Sequence, residues 1–157
     1  MKLIVTGCDL TGKTTLINKI IEYKKDHRLS YLHFSYRDRR DYLFYNTMLD
    51  KDNFIADRHF IDEKIYYKVF NRECQLNDYE FYELINRCRD NDIKIIILTV
   101  SEEELLRRSR QRQEEKEVVD NLLKINKSYI NIANKYDLKL FDTTKNSFEE
   151  IINYIES

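Results

Sequence analysis

The sequence of 157 residues predicts an α/β fold of three layers, in which helices cover both faces of a five-stranded parallel sheet. Short apolar runs alternate with segments whose apolar residues recur at helical spacing, which is the pattern of βαβ units. The two glycines of the chain, Gly7 and Gly12, lie between the first apolar run and the first helical pattern. A tight strand-to-helix turn is therefore predicted near the N-terminus.

The first half of the chain is predicted to contain three of the strands. Each is a short run of apolar, β-branched or aromatic residues, and the segments between them have helical spacing. In order, the predicted elements are a strand over residues 3–6, a helix over 14–25, a strand over 31–36, a helix through Tyr42, Tyr45 and Leu49, and a strand over 53–57.

The second half continues the alternation, and two of its helices have recognisable starts. Ser101 with Glu104, and Ser147 with Glu150, have the spacing of a capping box. In order, the predicted elements are helices through Ile65 and Val69 and through Phe81, Leu84 and Ile85, a strand over 93–100, a helix that begins after Ser101 and carries residues 107–112, a long helix over 118–136, a strand over 137–141 and a final helix that ends near Ile155.

Composition limits the function classes. The length fits one domain over residues 1–157. Lys and Arg number 27 against 28 Asp and Glu, so no overall field attracts a nucleic acid or an anionic membrane, and neither is an expected partner. Cys8, Cys74 and Cys88 are too scattered for a disulfide framework or a metal site, which indicates reduced thiols in the cytoplasm. No apolar run is long enough for a signal peptide or a membrane span.

The glycine-containing turn is a phosphate-binding loop of the G-x-x-x-x-G-K-[ST] type, which predicts a P-loop NTPase fold. Backbone N–H groups of such a loop form an anion nest, to which the following helix adds the positive end of its dipole. Lys13 is expected to bridge the β- and γ-phosphates of ATP, Thr14 to bind Mg²⁺ and Thr15 to contact the α-phosphate. The predicted ATP-binding residues of the loop are Gly7, Cys8, Leu10, Thr11, Gly12, Lys13, Thr14 and Thr15.

A GTPase is the first alternative, because residues 134–137 read N-K-Y-D and fit the guanine-selecting N-K-x-D pattern. A GTPase also needs a D-x-x-G switch after its third strand, and the chain has no glycine left for one. In addition, the tetrapeptide precedes a strand instead of following one. We therefore interpret residues 134–137 as the end of a helix.

The carboxyl ends of the strands are expected to meet around one crevice that contains the loop, Asp57 with Arg58, and the segment from Ser101 onward. If the protein transfers a phosphoryl group to an acceptor that carries a phosphate, Arg58 is predicted to bind that acceptor phosphate. The reason is that a guanidinium can hold two oxygens at once. Asp57 is expected to orient Arg58 or a Mg²⁺-bound water. Arg37 is a further candidate for the acceptor phosphate, whereas Arg39 and Arg40 are equally well explained as a solvated helix start.

The third strand is followed by Asp57-Arg58-His59 and by a helix that contains Tyr66, and the loop contains the acidic Asp9. In these residues the chain resembles the thymidylate kinase family. The arginine-rich segment 103–117 is similar to the mobile LID of that family, and residues 141–144 are similar to the loop beside adenine. The sequence departs from the family at Asp62, where serine is expected, and at Tyr67, where glutamine is expected.

The resemblance implies a role for each matching residue. Asp9 would lie near the 3′-hydroxyl of a deoxyribose, and Tyr66 would flank the sugar or base of the acceptor. Arg108 and Arg112, which share a helix face, would grip the phosphates of ATP when the LID closes. The implied activity is transfer of the γ-phosphoryl group of ATP to dTMP or a related deoxynucleoside monophosphate, with Mg²⁺ as cofactor. The resemblance also implies that the protein can form a homodimer.

Three other functions remain open at this stage. A deoxynucleoside kinase needs a carboxylate after the second strand to deprotonate a 5′-hydroxyl, and Asp38 is the one candidate in the sequence. A kinase acting on a nucleic acid is opposed by the neutral net charge. A non-catalytic ATP-binding module would keep the loop, but it would need neither Asp57 with Arg58 nor the arginine-rich segment.

Overall fold

Five parallel strands form the central sheet of the computed structural model, which describes residues 1–38 and 40–157. In spatial order they are β2, β3, β1, β4 and β5, so β1 lies at the centre of the sheet. All four neighbouring pairs are parallel. The strands are β1 (Lys2–Gly7), β2 (Ser30–His33), β3 (Phe54–Asp57), β4 (Lys94–Leu98) and β5 (Lys139–Phe141).

Helices cover both faces of this sheet, which confirms the predicted three-layer P-loop fold. The helices of the described residues are α1 (Lys13–Lys24), α2 (Tyr42–Met48), α3 (Ile61–Val69), α4 (Asp78–Asp90), α5 (Glu102–Gln111), α6 (Lys116–Tyr136) and α7 (Phe148–Glu156). Leu3 and Val5 of β1 pack with α1 and α7, whereas Ile4 packs with α2 to α6 on the other face. None of these helices is long and apolar enough to cross a membrane.

Three strand ends differ from the prediction by two residues or more. The strand predicted over 31–36 ends at His33, because Arg58 leaves the extended conformation (φ 70°) and β3 offers no further partner. The strand predicted over 93–100 ends at Leu98, where its pairing with β5 also ends. The strand predicted over 137–141 begins at Lys139, since Asp137 is the left-handed cap of α6 (φ 52°).

The predicted helix starts and ends are largely confirmed. Ser147 and Glu150 form a complete capping box at α7. At α5, Ser101 accepts a hydrogen bond from the Glu104 N–H, but the Glu104 carboxylate binds Arg107 and Arg108 instead of closing the box. Residues 134–137 are the last turn and cap of α6, as the sequence indicated.

Gly7 ends the central strand at a point where a side chain has no room. Its φ is 141°, and a Cβ built on it would lie 2.4 Å from the Leu98 carbonyl oxygen of β4. Gly12 also has a positive φ, of 90°, but its Cβ would make only an ordinary contact of 3.4 Å with the Thr143 hydroxyl. The close approach of β1 and β4 therefore requires glycine at position 7 more strictly than at position 12.

We expect Gly7→Ala to lower the free energy of unfolding by more than about 2 kcal/mol, because it combines an unfavourable φ with overlap against the backbone of β4. Gly12→Ala is the matched control and should lower it by about 1–2 kcal/mol, since only the φ penalty applies. Urea unfolding of both variants measures the difference. Equal losses would contradict the steric explanation.

Candidate active site

The phosphate-binding loop connects the end of β1 to the start of α1 through two left-handed residues. Leu10 has a φ of 69° and Gly12 a φ of 90°. The Thr11 hydroxyl is buried and donates to the Cys8 carbonyl at 2.7 Å, which fixes the turn from inside. Left-handed residues in a short loop are typical of anion nests. The loop therefore has the backbone form that phosphate binding requires.

Lys13 is buried against this loop instead of extending into solvent. Its side chain is 8% exposed, and Nζ donates to the Cys8 carbonyl at 3.3 Å. Burial lowers the pKa of Lys13, as does the Arg58 charge, whereas Asp9, Asp57 and Asp62 act in the opposite direction. An anion in the loop would favour the charged form. Lys13 thus lies where a bound phosphate would supply the opposite charge.

Arg58 is the most densely hydrogen-bonded side chain of this crevice. It is 4% exposed and has a left-handed backbone. Burial by itself lowers the pKa of Arg58, but the surrounding oxygens raise it above its usual value. The acceptors of its guanidinium are Asp9 Oδ1 at 2.8 Å, Asp62 Oδ1 and the Tyr66 hydroxyl at 3.0 Å, the Gly7 carbonyl at 3.3 Å and the Tyr129 hydroxyl at 3.4 Å.

Asp62 is the carboxylate that orients Arg58, although the sequence assigned this role to Asp57. It is buried, and it accepts hydrogen bonds from the Thr6 hydroxyl at 2.9 Å, the His59 N–H at 2.9 Å and the Tyr129 hydroxyl. Its i,i+4 spacing from Arg58 on the strand-to-helix turn was the sequence signal for this pair. Tyr129 comes from α6, so no local pattern could have predicted its contact.

Asp57 lies at the end of β3 with one carboxylate oxygen engaged and the other unpaired. Oδ2 accepts from the Tyr31 hydroxyl at 3.3 Å and lies 3.2 Å from His33 Nδ1. Oδ1 is buried and has no hydrogen-bond partner within the described chain. Asp57 does not bind Arg58 there, so of its two predicted roles only the contact with a Mg²⁺-bound water remains.

The oxygens of Thr14 and Asp57 suit Mg²⁺ better than they suit a metal ion that is bound by protein ligands alone. The described residues contain no group of three or more His, Cys, Asp or Glu side chains that could hold a metal. Mg²⁺ in phosphoryl-transfer sites is usually bound by one or two protein oxygens together with substrate phosphates and water. The exposed Thr14 at the start of α1 and the unpaired Asp57 Oδ1 supply such oxygens.

A cleft of about 380 Å³ opens on the α1 side of the loop. Arg108 closes one side, where its Nη1 donates to the Leu10 carbonyl at 2.6 Å and its Nε to Glu104 at 2.8 Å. Arg112 caps the end of α5 and is exposed, and its grip on the phosphates of ATP stays a prediction. The residues lining the cleft include Gly12, Thr15, Lys19, Arg108, Thr143 and Phe148.

The remaining predicted site residues have different surroundings. Tyr66 is 2% exposed and stacks on Tyr36 with 4.3 Å between ring centroids. Arg37 is exposed beside Tyr36, and Arg39 lies outside the described residues. Cys8 is fully buried, and burial raises its pKa to about 12, so its thiol is unreactive near neutral pH. All three cysteines are free thiols.

The sequence matches no protein-family profile and no curated protein. The fold, however, is similar to solved structures over nearly the whole chain. YorR from Bacillus subtilis, solved with phosphorylated GDP, is 21% identical with a TM-score of 0.80, and the match covers 99% of this chain and 94% of YorR.

Two further structures share the fold at lower similarity. Deoxyadenosine kinase from M. mycoides, solved with dATP, is 19% identical with a TM-score of 0.57, and the match covers 100% of both chains. Thymidylate kinase from Ehrlichia chaffeensis is 14% identical with a TM-score of 0.54, covering 99% of this chain and 98% of the other. These likenesses confirm a fold that nucleoside and nucleotide kinases share.

We expect Asp62→Asn to lower the free energy of unfolding by about 3–5 kcal/mol, because it removes one partner of a buried ion pair and turns an N–H donor toward the Arg58 guanidinium. Asp9→Asn makes the same change on the other side of that guanidinium. Because the Asp9 side chain is 55% exposed, its loss should stay below about 1 kcal/mol. Thermal or urea unfolding of both variants compares them, and similar losses would contradict the assignment of Asp62 as the structural partner.

Proposed function

We propose that this protein is an ATP-dependent deoxynucleoside monophosphate kinase, which transfers the γ-phosphoryl group of ATP to dTMP or a related monophosphate and yields the diphosphate. The observation that carries the proposal is the pair of buried cations, Lys13 and Arg58, on either side of the phosphate-binding loop. Two positive charges beside one loop suit a reaction in which the phosphates of two substrates lie next to each other.

The donor side of the site has the features that ATP binding needs. The loop and Lys13 would hold the β- and γ-phosphates, and Arg108, already bonded to the Leu10 carbonyl, would add a second cation from the LID-like segment 103–117. Thr143 and Phe148 in the adjoining cleft would contact the adenine. Mg²⁺, held through Thr14 and Asp57, would neutralise phosphate charge.

The acceptor side needs alignment more than proton transfer. The oxygens of a monophosphate are already nucleophilic near neutral pH, so no strong general base is required. Arg58 would exchange its contact with the exposed Asp9 for the acceptor phosphate, while the buried Asp62 keeps the guanidinium in place. Holding two reactants in line can contribute about 7–11 kcal/mol to the lowering of a barrier.

A deoxynucleoside kinase is the second candidate, favoured by the likeness in fold to deoxyadenosine kinase. That reaction needs a base beside the 5′-hydroxyl. Asp38, the carboxylate after β2, is exposed and its Oδ2 accepts a hydrogen bond from Arg40 at 3.2 Å. Asp38 is therefore poorly suited to the role, which supports the monophosphate as acceptor. The cytoplasmic location and the homodimer stay predictions.

Release of ADP from ATP and Mg²⁺, measured across the deoxynucleosides and their monophosphates, tests the proposed function. We expect stimulation by at least one monophosphate, together with formation of the matching diphosphate. Lys13→Ala should abolish this turnover, because it removes the positive charge that would stabilise the transferred phosphoryl group. Stimulation by nucleosides alone would favour the second candidate, and no stimulation by any acceptor would favour a non-catalytic nucleotide-binding module.

We expect Arg58→Lys to lower kcat/KM for the acceptor by more than about tenfold, which corresponds to about 1.4 kcal/mol, while KM for ATP changes little. Lysine keeps a charge near Asp62 but cannot bind two phosphate oxygens in one plane. Arg28→Lys, an exposed residue paired with Asp26, is the matched control. A variant with normal kcat/KM for the monophosphate would refute the role of Arg58.

A further inference from the structure

Five buried polar side-chain atoms around the first turn of α3 have no hydrogen-bond partner within the described residues. They are Arg40 Nε, His59 Nδ1 and Nε2, Glu63 Oε2 and Arg72 Nε. Glu63 is 2% exposed and His59 is 1% exposed. Because buried polar atoms in folded proteins are nearly always paired with protein groups or with ordered water, unpaired atoms concentrated in one place mark a position for bound water or a ligand. We refer to Arg40, His59, Glu63 and Arg72 as the Glu63 cluster.

Direct contacts and shared charge join these residues into one group. The Tyr45 hydroxyl donates to Glu63 Oε1 at 3.1 Å, and the Tyr45 ring packs on His59 with 5.1 Å between centroids. Burial raises the pKa of Glu63, whereas the Tyr45 hydroxyl, the Arg72 charge and a hydrogen bond from the Arg40 backbone lower it, and the Asp62 charge adds to the effect of burial. Glu63 Oε2 is thus a buried acceptor on a carboxylate that feels the Arg72 charge.

Flat aromatic side chains surround the same region. Arg40 lies over the Phe44 ring at 4.4 Å, and the Phe34 ring meets Phe44 edge-on at 5.6 Å. On the other side, Arg72 donates to the Tyr36 carbonyl at 2.6 Å and so ties the segment after β2 to the end of α3.

A planar partner that carries both donors and acceptors would suit this environment. A phosphate would meet the Glu63 carboxylate, and a metal ion would meet two arginines, so neither suits the cluster. A heterocyclic base is neutral and flat, it stacks on aromatic rings, and its edge offers N–H groups beside carbonyl or ring-nitrogen acceptors. The chemistry of the Glu63 cluster therefore corresponds to a nucleobase.

The position of Glu63 agrees with this reading of its chemistry. Glu63 directly follows Asp62, which holds the Arg58 guanidinium at 3.0 Å. The two sites also adjoin through Tyr36, because Arg58 lies over the Tyr36 ring at 5.1 Å and Arg72 donates to the Tyr36 carbonyl. The step from phosphate to base rests on the proposed function, whereas the unpaired atoms do not.

We propose that the Glu63 cluster binds the base of the acceptor nucleotide and sets its selectivity. Glu63 Oε2 accepts an N–H of the base, and Arg40 or Arg72 donates to a neighbouring carbonyl or ring nitrogen. This assigns base recognition to a residue that the sequence resemblance did not include. It also places selectivity at the start of α3, one residue from the carboxylate that orients Arg58.

The test compares wild type with Glu63→Gln on dAMP, dCMP, dGMP and dTMP, with ATP held constant. Glutamine replaces one acceptor oxygen by a donor, so kcat/KM for the preferred base should fall by at least about tenfold relative to the others, with KM for ATP unchanged. Glu149→Gln is the matched control, because Glu149 is also in the first turn of a helix, α7, but is exposed. The control should leave the order of preference unchanged.

A uniform fall across all four monophosphates, or an unchanged order of preference, would overturn the proposal and leave Glu63 a structural residue. Calorimetric binding of the four free deoxynucleosides separates this outcome from failure of the proposed function, since it needs neither turnover nor phosphate. Binding that depends on the base and is lost in Glu63→Gln would support the proposal even without kinase activity, and base-independent or undetectable binding would overturn it. If Glu63→Gln does not fold, Tyr45→Phe carries the test, with a smaller shift in the same direction expected.

Discussion

The burial of the Arg58 guanidinium is the constraint on which the site depends. A charged group removed from water must be surrounded by acceptors, and here they come from β1, the loop, α3 and α6. One side chain thereby fixes the relative positions of these elements. The oxygens that stabilise the fold also hold the cation that would meet the acceptor phosphate.

The same network separates structural from exchangeable contacts. Asp62 is buried and shared among Arg58, Thr6, Tyr129 and the His59 backbone, so it cannot be given up without leaving several groups unpaired. Asp9 is half exposed and holds only the outer edge of the guanidinium. A substrate phosphate could replace Asp9 at low cost. The buried contacts of the guanidinium would then stay fixed, and its exposed contact would be exchanged.

Beyond Arg58, the acceptor side differs in character from the donor side. The proposed donor side combines a loop with an open cleft beside it, so its geometry would be set before ATP arrives. On the proposed acceptor side, Arg72 ties Tyr36 to the end of α3, and the unpaired atoms of the Glu63 cluster are buried. In the proposed complex, the base completes those hydrogen bonds, which couples binding energy to recognition of the base.

The sequence by itself determined the fold class, the order of the elements and the loop, because these follow from local spacing and from the restriction of glycine to positions 7 and 12. It also indicated Lys13, which begins α1 after the loop, and Arg58, which directly follows β3. Only the tertiary structure showed that Asp62 rather than Asp57 orients Arg58 and that Tyr129 closes the network. These outcomes depend on which distant side chain meets a buried charge, and local periodicity carries no information about such contacts.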